Sequence, residues 1–341
     1  MIDFRYHLVS IVAVFLALAV GIVVGSTALA PAVQSGLNTV SANEAKTNKM
    51  LYDHNQQLKN QIAADEAFAQ AAEGRLLSGL LNGEHVALVL APGTDSTTVD
   101  GLTSALQRAG ASVTGQVVLS SQFFDTSTVT EQQLKSSVKS LQLNGVTLPQ
   151  SASNPQVSGQ QAAAQVIAAA IMNKDGLPTL TPAQSQGVMT GLAKAGFLQV
   201  SGPSGGSSLT SQATLAVVVV PTTVPAATLS GQFNMALISL ANDLQEASKG
   251  AVLTGPLTGT GPRSAVDAVS SGNAGVTLTT VDNAETTIGQ IVVAQALSQM
   301  LTHSASPTAY GVRPGTVPSP APSASPPPSP SPQPTRKAAR R

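Results

Sequence analysis

The chain has 341 residues, of which 42% are hydrophobic, so it can bury one large core or two smaller ones. It contains no cysteine, which excludes disulfides, thiolate catalysis and Cys-based zinc or iron–sulfur sites. The formal net charge is 0, but with Asp3, Arg5 and the basic residues from Arg313 onward set aside, 11 Lys and Arg remain against 16 Asp and Glu. Because the folded part is acidic and only 3% of residues are aromatic, we expect no nucleic-acid partner.

The first predicted element is an apolar run from Leu8 to Ala30, 23 residues without a charged side chain. As a helix the run would measure about 35 Å, enough to cross a hydrocarbon layer of about 30 Å. A cleaved signal peptide is the alternative, because Ala28-Leu29-Ala30 resembles a cleavage site. The run is longer than the apolar part of a signal peptide, and Pro31 would directly follow the cut. The sequence therefore favours a retained anchor over residues 1–30, embedded in membrane lipid.

The flanks of this span predict its orientation. Arg5, His7 and the α-amino group precede it, and no charged residue follows until Glu44. Cations accumulate on the cytoplasmic side of a membrane helix, so we expect a single-pass protein of the cytoplasmic membrane, with its N-terminus inside and its body extracytoplasmic. Within the span, Gly21 and Gly25 have the spacing that lets a second helix approach closely, although glycine is also common in membrane helices.

Residues 31–82 predict a helical stalk, since they are rich in Gln, Asn, Glu, Lys and Ala and no proline occurs between Pro31 and Pro92. Alternate spacings of three and four select Leu51, Asn55, Leu58, Ile62, Asp65, Ala69, Ala72 and Leu76. This pattern resembles a coiled-coil seam, in which a buried Asn55 would fix the register of a parallel dimer. Asp65 and the alanines weaken the seam, and a helix packed on its own domain is the alternative. Together with the two glycines, the pattern favours a homodimer.

Residues 83–303 predict an extracytoplasmic α/β domain. Unbroken apolar runs at 86–91 and 215–220 are typical of strands covered on both faces, and similar strand–helix units recur at 251–269 and 276–301. Residues 131–196 read instead as two or three helices. We expect a mostly parallel, doubly wound sheet with a helical insertion. Residues 304–341, a Pro/Ser-rich segment with a basic end, predict a disordered tail.

Three patterns suggest chemistry, and none is sufficient for a catalytic site. Gly202-Pro203-Ser204-Gly205-Gly206 matches the G-x-S-x-G pattern of hydrolases, but no helix follows it directly, and such a nucleophile lies between a strand and a helix. Asp282 and Glu285 could act as paired carboxylates, yet their spacing before an apolar helix is more typical of a capping box. The histidines and methionines are dispersed, so no metal site is visible. We therefore expect no enzyme and no resident cofactor.

A doubly wound sheet binds ligands beyond the carboxyl ends of its strands. That rule indicates a crevice formed by Pro92, Gly93, Thr94, Asp95, Thr222 and Thr223. These residues offer hydroxyl groups, backbone amides and one carboxylate, which suit an anion or a peptide better than a soft metal.

Several segments resemble one known family, the actinobacterial family named for the mycobacterial copper transport protein B. The resemblance is strongest in the N-terminal segment, residues 4–22, and continues in the stalk at Asn55, Leu58 and Phe68. It extends to residues 88–93 and to Thr280, Val281, Asp282, Asn283, Thr286, Gly289, Tyr310 and Gly311. The resemblance implies a role in copper efflux or homeostasis, and copper enters only on this basis.

The residues themselves favour a second interpretation. One apolar helix cannot line a pore, so copper movement would require oligomers or partners. The alternative function is a non-enzymatic dimeric scaffold that binds a cell-wall remodelling or division protein in the envelope. Copper sensitivity after deletion would favour the first function, and defects in shape or division would favour the second.

Overall fold

The computed structural model describes residues 4–143, 157–175, 180–203, 205–221, 227–257, 264–302 and 306–320. The chain divides into two units, residues 1–67 and 68–341.

Helix α1 runs without interruption from Phe4 to Leu77 and contains both the predicted span and most of the predicted stalk. Its last ten residues, from Phe68, belong to the second unit. There Leu77 is fully buried, and the buried carboxylate of Glu73 forms an ion pair with Arg108. The final turns of α1 are therefore part of the α/β body, which we define as residues 68–320.

The body contains one seven-stranded sheet in the order β3-β2-β1-β4-β5-β6-β7. Its strands are β1 (His85–Leu90), β2 (Ser112–Leu119), β3 (Leu198–Ser201), β4 (Leu215–Val219), β5 (Gly250–Gly255), β6 (Thr279–Asp282) and β7 (Ala309–Tyr310). The β2–β3 pair is antiparallel and all other pairs are parallel. The prediction of a mostly parallel sheet is confirmed.

Seven helices follow α1 among the described residues. They are α2 (Ser96–Arg108), α3 (Thr128–Leu143), α4 (Gly159–Ile171), α5 (Pro182–Lys194), α6 (Ala227–Ala247), α7 (Ala265–Ser270) and α8 (Thr287–Leu301). A 3-10 turn, Ser121–Phe124, precedes α3. Helices α3, α4 and α5 form the predicted insertion between β2 and β3.

Two separate hydrophobic clusters cover the two faces of the sheet. In β1, Ala87 and Val89 join a cluster with α3 to α7, whereas Val86 and Leu88 join a cluster with α2, α8 and the end of α1. Successive side chains of a strand point to opposite faces, so an unbroken apolar run is what a two-sided core requires.

The winding reverses between β1 and β4. Strand β1 continues through α2, and β4 continues through α6, on the opposite face. Adjacent connections that leave in opposite directions create a crevice at the carboxyl ends of the two strands.

The boundary predicted for the disordered tail, residue 304, lies too early in the chain. Residues 306–320 contain β7 and a turn, and Tyr310 is buried with its hydroxyl group 3.1 Å from the Gln299 side chain. Proline and serine dominate the local composition, but pairing with β6 and contacts with a buried carboxylate order this segment. The remainder of the predicted tail, residues 321–341, lies outside the described residues.

Candidate functional site

The apolar part of α1 provides a candidate membrane span. Residues Tyr6–Thr27 form 22 consecutive helical residues, and none of the most apolar stretch is buried within the protein. Its length corresponds to about 33 Å. The hydroxyl groups of Ser26 and Thr27 donate to carbonyl groups of the preceding turn, 3.0 and 2.7 Å away at Val23. The helix therefore satisfies these polar groups internally, as a hydrocarbon layer demands.

The residues predicted to mediate dimerisation all lie on the open surface of α1. A side chain added at Gly21 or Gly25 would meet no atom of the chain within 4 Å. Leu51, Leu58 and Ile62 are 55%, 42% and 64% exposed, and Asn55 is also exposed. Within the described chain this face has no covering element, so association remains a prediction.

Of the predicted crevice residues, Pro92, Gly93, Thr94 and Asp95 lie at the winding reversal, where the loop after β1 passes Pro221 at the end of β4. Gly93 has φ +83°, and a Cβ added there would lie 3.7 Å from Pro221. The Thr94 hydroxyl donates to the Ala91 carbonyl at 2.7 Å, and the Asp95 carboxylate caps α2 by accepting from the Thr98 amide at 3.0 Å. The polar groups of this loop thus have structural partners. Thr222 and Thr223 lie outside the described residues.

A second polar group lies at the carboxyl end of β6, around Asp282. This carboxylate is 1% exposed and accepts from the backbone amides of Val312 and Arg313, at 2.8 and 3.2 Å. The Arg313 guanidinium pairs with Asp267 and lies 3.7 Å from Asp282. Burial raises the pKa of Asp282 above its ordinary value, while the two amide donors act in the opposite direction.

The capping-box prediction for Asp282 and Glu285 is wrong. Helix α8 begins at Thr287, and its cap is Thr286, whose hydroxyl oxygen accepts from the Gly289 amide at 3.1 Å. Asp282 still belongs to β6, and the Glu285 carboxylate accepts from the Leu257 amide at 3.2 Å. Both carboxylates therefore bind neighbouring loops at the carboxyl edge of the sheet, and neither begins the helix.

The G-x-S-x-G pattern forms a closed turn. The Gly202 amide donates to the Gly206 carbonyl at 2.6 Å, and the turn follows β3 and leads to β4 without an intervening helix. The strand–turn–helix setting of a hydrolase nucleophile is thus missing here. Ser204 lies outside the described residues. In the described part of the chain, no group of three or more His, Asp and Glu side chains is placed to hold a metal ion.

Asp243, on α6, is a partly buried carboxylate that no sequence motif indicates. Burial raises its pKa from 3.8 to about 7, and Glu246 one turn later adds to the shift. Its Oδ2 atom has no hydrogen-bond partner among the described residues. The folded protein therefore favours the neutral form of this side chain.

We expect Asp243 to make folding pH-dependent. A raised pKa in the folded state gives stability that is complete below about pH 4 and is lost as the pH rises through about 7. Asp243→Asn should remove this dependence of stability on pH. At pH 8 its free energy of unfolding should be about 2 kcal/mol higher than that of wild type, a value reduced for partial solvent screening. Asp125→Asn is a control for the opposite pH dependence. Hydrogen bonds from Thr130 and Ser127 lower the pKa of Asp125, so its contribution to stability is lost as the pH falls. Urea unfolding at pH 4 and pH 8 measures both, and an unchanged slope in Asp243→Asn would contradict the assignment.

Comparison with known proteins gives a match along nearly the whole chain. The family model described as "Copper transport outer membrane protein, MctB" matches residues 1–320. The chain belongs to the MctB family. The protein called copper transporter MctB in Mycobacterium tuberculosis (strain ATCC 25618 / H37Rv) is 28% identical over 306 residues, 88% of this chain and 93% of its own length. The protein of the same name in Mycobacterium leprae (strain TN) is 28% identical over 321 residues, 92% and 98% of the two chains.

The MctB match ends at residue 320, where the described part of the chain also ends, and it includes the turn that binds Asp282. Four of the residues that carried the family resemblance, Asp282, Asn283, Gly289 and Gly311, meet at this point. Gly289 lies against the Asn283 carbonyl group, and Gly311, at φ +140°, lies against the Asp282 carboxylate, so that a side chain at either glycine would clash. Asn283 itself adopts φ 75°. The resemblance in this region thus marks a tightly packed structural junction.

The sequence analysis did not select Asp267 and Arg313, which belong to this junction. Asp267 is 15 positions before Asp282, and Arg313 lies 31 positions after it, in the segment that the sequence assigned to the tail. The available signal was a single arginine two positions after Gly311. An isolated cation beside a turn is usually solvated, so the pattern alone gave no reason to pair it.

Proposed function

We propose that this chain is a single-pass, membrane-anchored envelope protein that supports copper homeostasis without catalysis. The family match over residues 1–320, which includes the N-terminal span, is the observation that supports it most directly. The relatives with this match are named copper transporters. Copper here is cargo, and its proposed route depends on assembly of the chain with further copies or partners, because a single helix cannot enclose a pathway.

The proposal places the N-terminus in the cytoplasm and the body outside it. Arg5 precedes the span and His7 lies in its first turn, whereas the exposed helical residues 38–43 that follow the span are uncharged. This asymmetry supports an inside N-terminus under the positive-inside rule. The proposed partners are a second copy of the chain and another protein of the envelope.

Deletion of the gene tests the copper role. We expect the deletion strain to stop growing at a lower copper concentration than the parent and to retain more copper per cell, with growth in added zinc unchanged. Expression of the wild-type chain should restore both values. Equal copper tolerance in parent and deletion strains, with altered cell shape or division, would contradict the copper role and favour a scaffold.

The proposed dimer depends on the close approach of a second helix at Gly21 and Gly25, which have no side chains. We expect Gly21→Ile with Gly25→Ile to weaken the dimer in detergent, because both added side chains fill the surface on which a second helix would lie. Asn55→Val should leave the dimer stable and relax its register. Analytical ultracentrifugation measures the change, with Ala19→Ile and Val23→Ile on the other side of the helix as a matched control. A wild-type monomer would end the dimer proposal.

A further inference from the structure

A cavity of about 360 Å³ lies on the body, bounded by the first half of α5, the end of α4 and the segment 207–212 that precedes β4. It lies away from the winding reversal, because β3 runs antiparallel to β2 towards the amino edge of the sheet: Ser201 pairs with Gln116, and Thr210 then binds Thr114. A volume of this size is within the range of small-molecule sites in proteins.

One wall of the cavity is held in place by the glycine-rich turn and by β2. Segment 207–212 follows the closed turn at Gly202–Gly206 and places Leu209 against Gly115. At Gly115, φ is +145° and an added Cβ would lie 2.7 Å from the Leu209 side chain. The Thr210 amide and hydroxyl groups both donate to the Thr114 carbonyl, at 3.0 and 3.2 Å. In the β1–β2 pairing Val86 pairs with Val113 and Ala87 with Gly115, so Thr114 is a bulge, and this bulge fixes the middle of the wall.

Gln212 fixes the other end of the same wall. Its side-chain amide nitrogen lies 3.1 Å from the Ser185 hydroxyl oxygen on α5 and 3.3 Å from the Ala170 carbonyl oxygen at the end of α4. One side chain thus joins three segments around the cavity. These contacts hold the walls together through groups of the chain itself, and a wall fixed in this way reduces the entropy that binding must cost.

The lining determines the class of ligand. Its polar side chains include Ser185, Gln186, Thr190, Ser207 and Ser208, and no described lining residue is ionisable. Anions would lack a cation, and metal ions would lack carboxylate or imidazole ligands. Hydroxyl and amide groups both donate and accept, and Met189 and Leu209 add an apolar surface. The matching ligand is uncharged, has hydroxyl and amide groups along its edge, and has one apolar face.

We propose that this cavity binds a neutral acetamido sugar. A pyranose ring offers hydroxyl groups at its edge and C–H groups on its face, and its acetamido group offers one amide and one methyl group. The ring face packs on Met189 and Leu209, and the edge groups bind Gln186, Thr190 and the serine hydroxyl groups. This binding is independent of the copper role, since it uses neither the span nor the carboxyl edge of the sheet.

The test is titration of the full-length protein with N,N′-diacetylchitobiose, in a detergent without a sugar headgroup. We expect saturable binding in the millimolar range by calorimetry or ligand-detected NMR. Gln186→Ala with Thr190→Val should weaken binding about tenfold, the loss of two hydrogen bonds. Both residues are exposed on α5, so thermal unfolding should be unchanged. Gln132→Ala, the same substitution on exposed α3, should bind like wild type.

Cellobiose, which has the same two rings without acetamido groups, should bind more weakly. Failure of diacetylchitobiose to saturate the protein, equal binding of both disaccharides, or unchanged affinity in the double variant would each overturn the proposal.

Discussion

Arg313→Ala should lower the free energy of unfolding by about 3 to 5 kcal/mol, the usual consequence of leaving a buried charge without its partner. The Arg313 side chain is 16% exposed and lies between Asp267 and Asp282, which are 5% and 1% exposed. Removal of the guanidinium leaves two buried carboxylates near each other with no cation between them. The loss should release β7 and the turn that follows it, because Asp282 also holds the backbone of that turn.

Urea unfolding of wild type and variant measures this loss. Lys135→Ala is the matched control, since Lys135 pairs with Glu131 on the exposed surface of α3 and such pairs contribute about 0.5 kcal/mol or less. Equal stability of Arg313→Ala and Lys135→Ala would show that the buried cluster does not hold the C-terminal segment in place.

Val14→Arg with Ala17→Arg should remove the protein from the membrane fraction. Both residues lie near the centre of Tyr6–Thr27, where each arginine costs about 2.5 to 3.5 kcal/mol on insertion. The double variant should be extracted by alkaline carbonate, whereas wild type should remain with the membrane and keep residues 1–30 by mass spectrometry. Asn43→Arg with Thr47→Arg, in the exposed polar part of α1, is the control and should be retained. A wild-type chain that begins at Pro31 would contradict the anchor.

The sequence predicted those parts of the fold whose signals are local. Strands β1 and β4 were predicted from unbroken apolar runs, because burial on both faces leaves no position for a polar residue. Strand β3 gave no such signal, since only Leu198 of its four residues is buried and it closes one edge of the sheet. Strand β7 has two residues, and its pairing with β6 depends on contacts made by the turn beyond it.

The error at Asp282 has a physical reason. An acidic residue followed three positions later by glutamate fits the capping-box pattern, whereas Thr286 is followed at that distance by Gly289. The helix nevertheless begins after Thr286, because β6 continues through Asp282 and Asn283 turns the chain with φ 75°. Strand length and a left-handed residue decided the boundary, and neither is encoded in the capping pattern.

The need for the membrane anchor in copper tolerance is measured by growth of the deletion strain in copper after it receives one of two forms of the chain. One form is full-length, and the other is residues 31–341 exported behind a cleavable signal, with equal amounts confirmed by immunoblot. We expect that only the full-length form restores growth in copper to the level of the parent strain. Restoration by the released form to the same level would contradict a function that requires the membrane anchor.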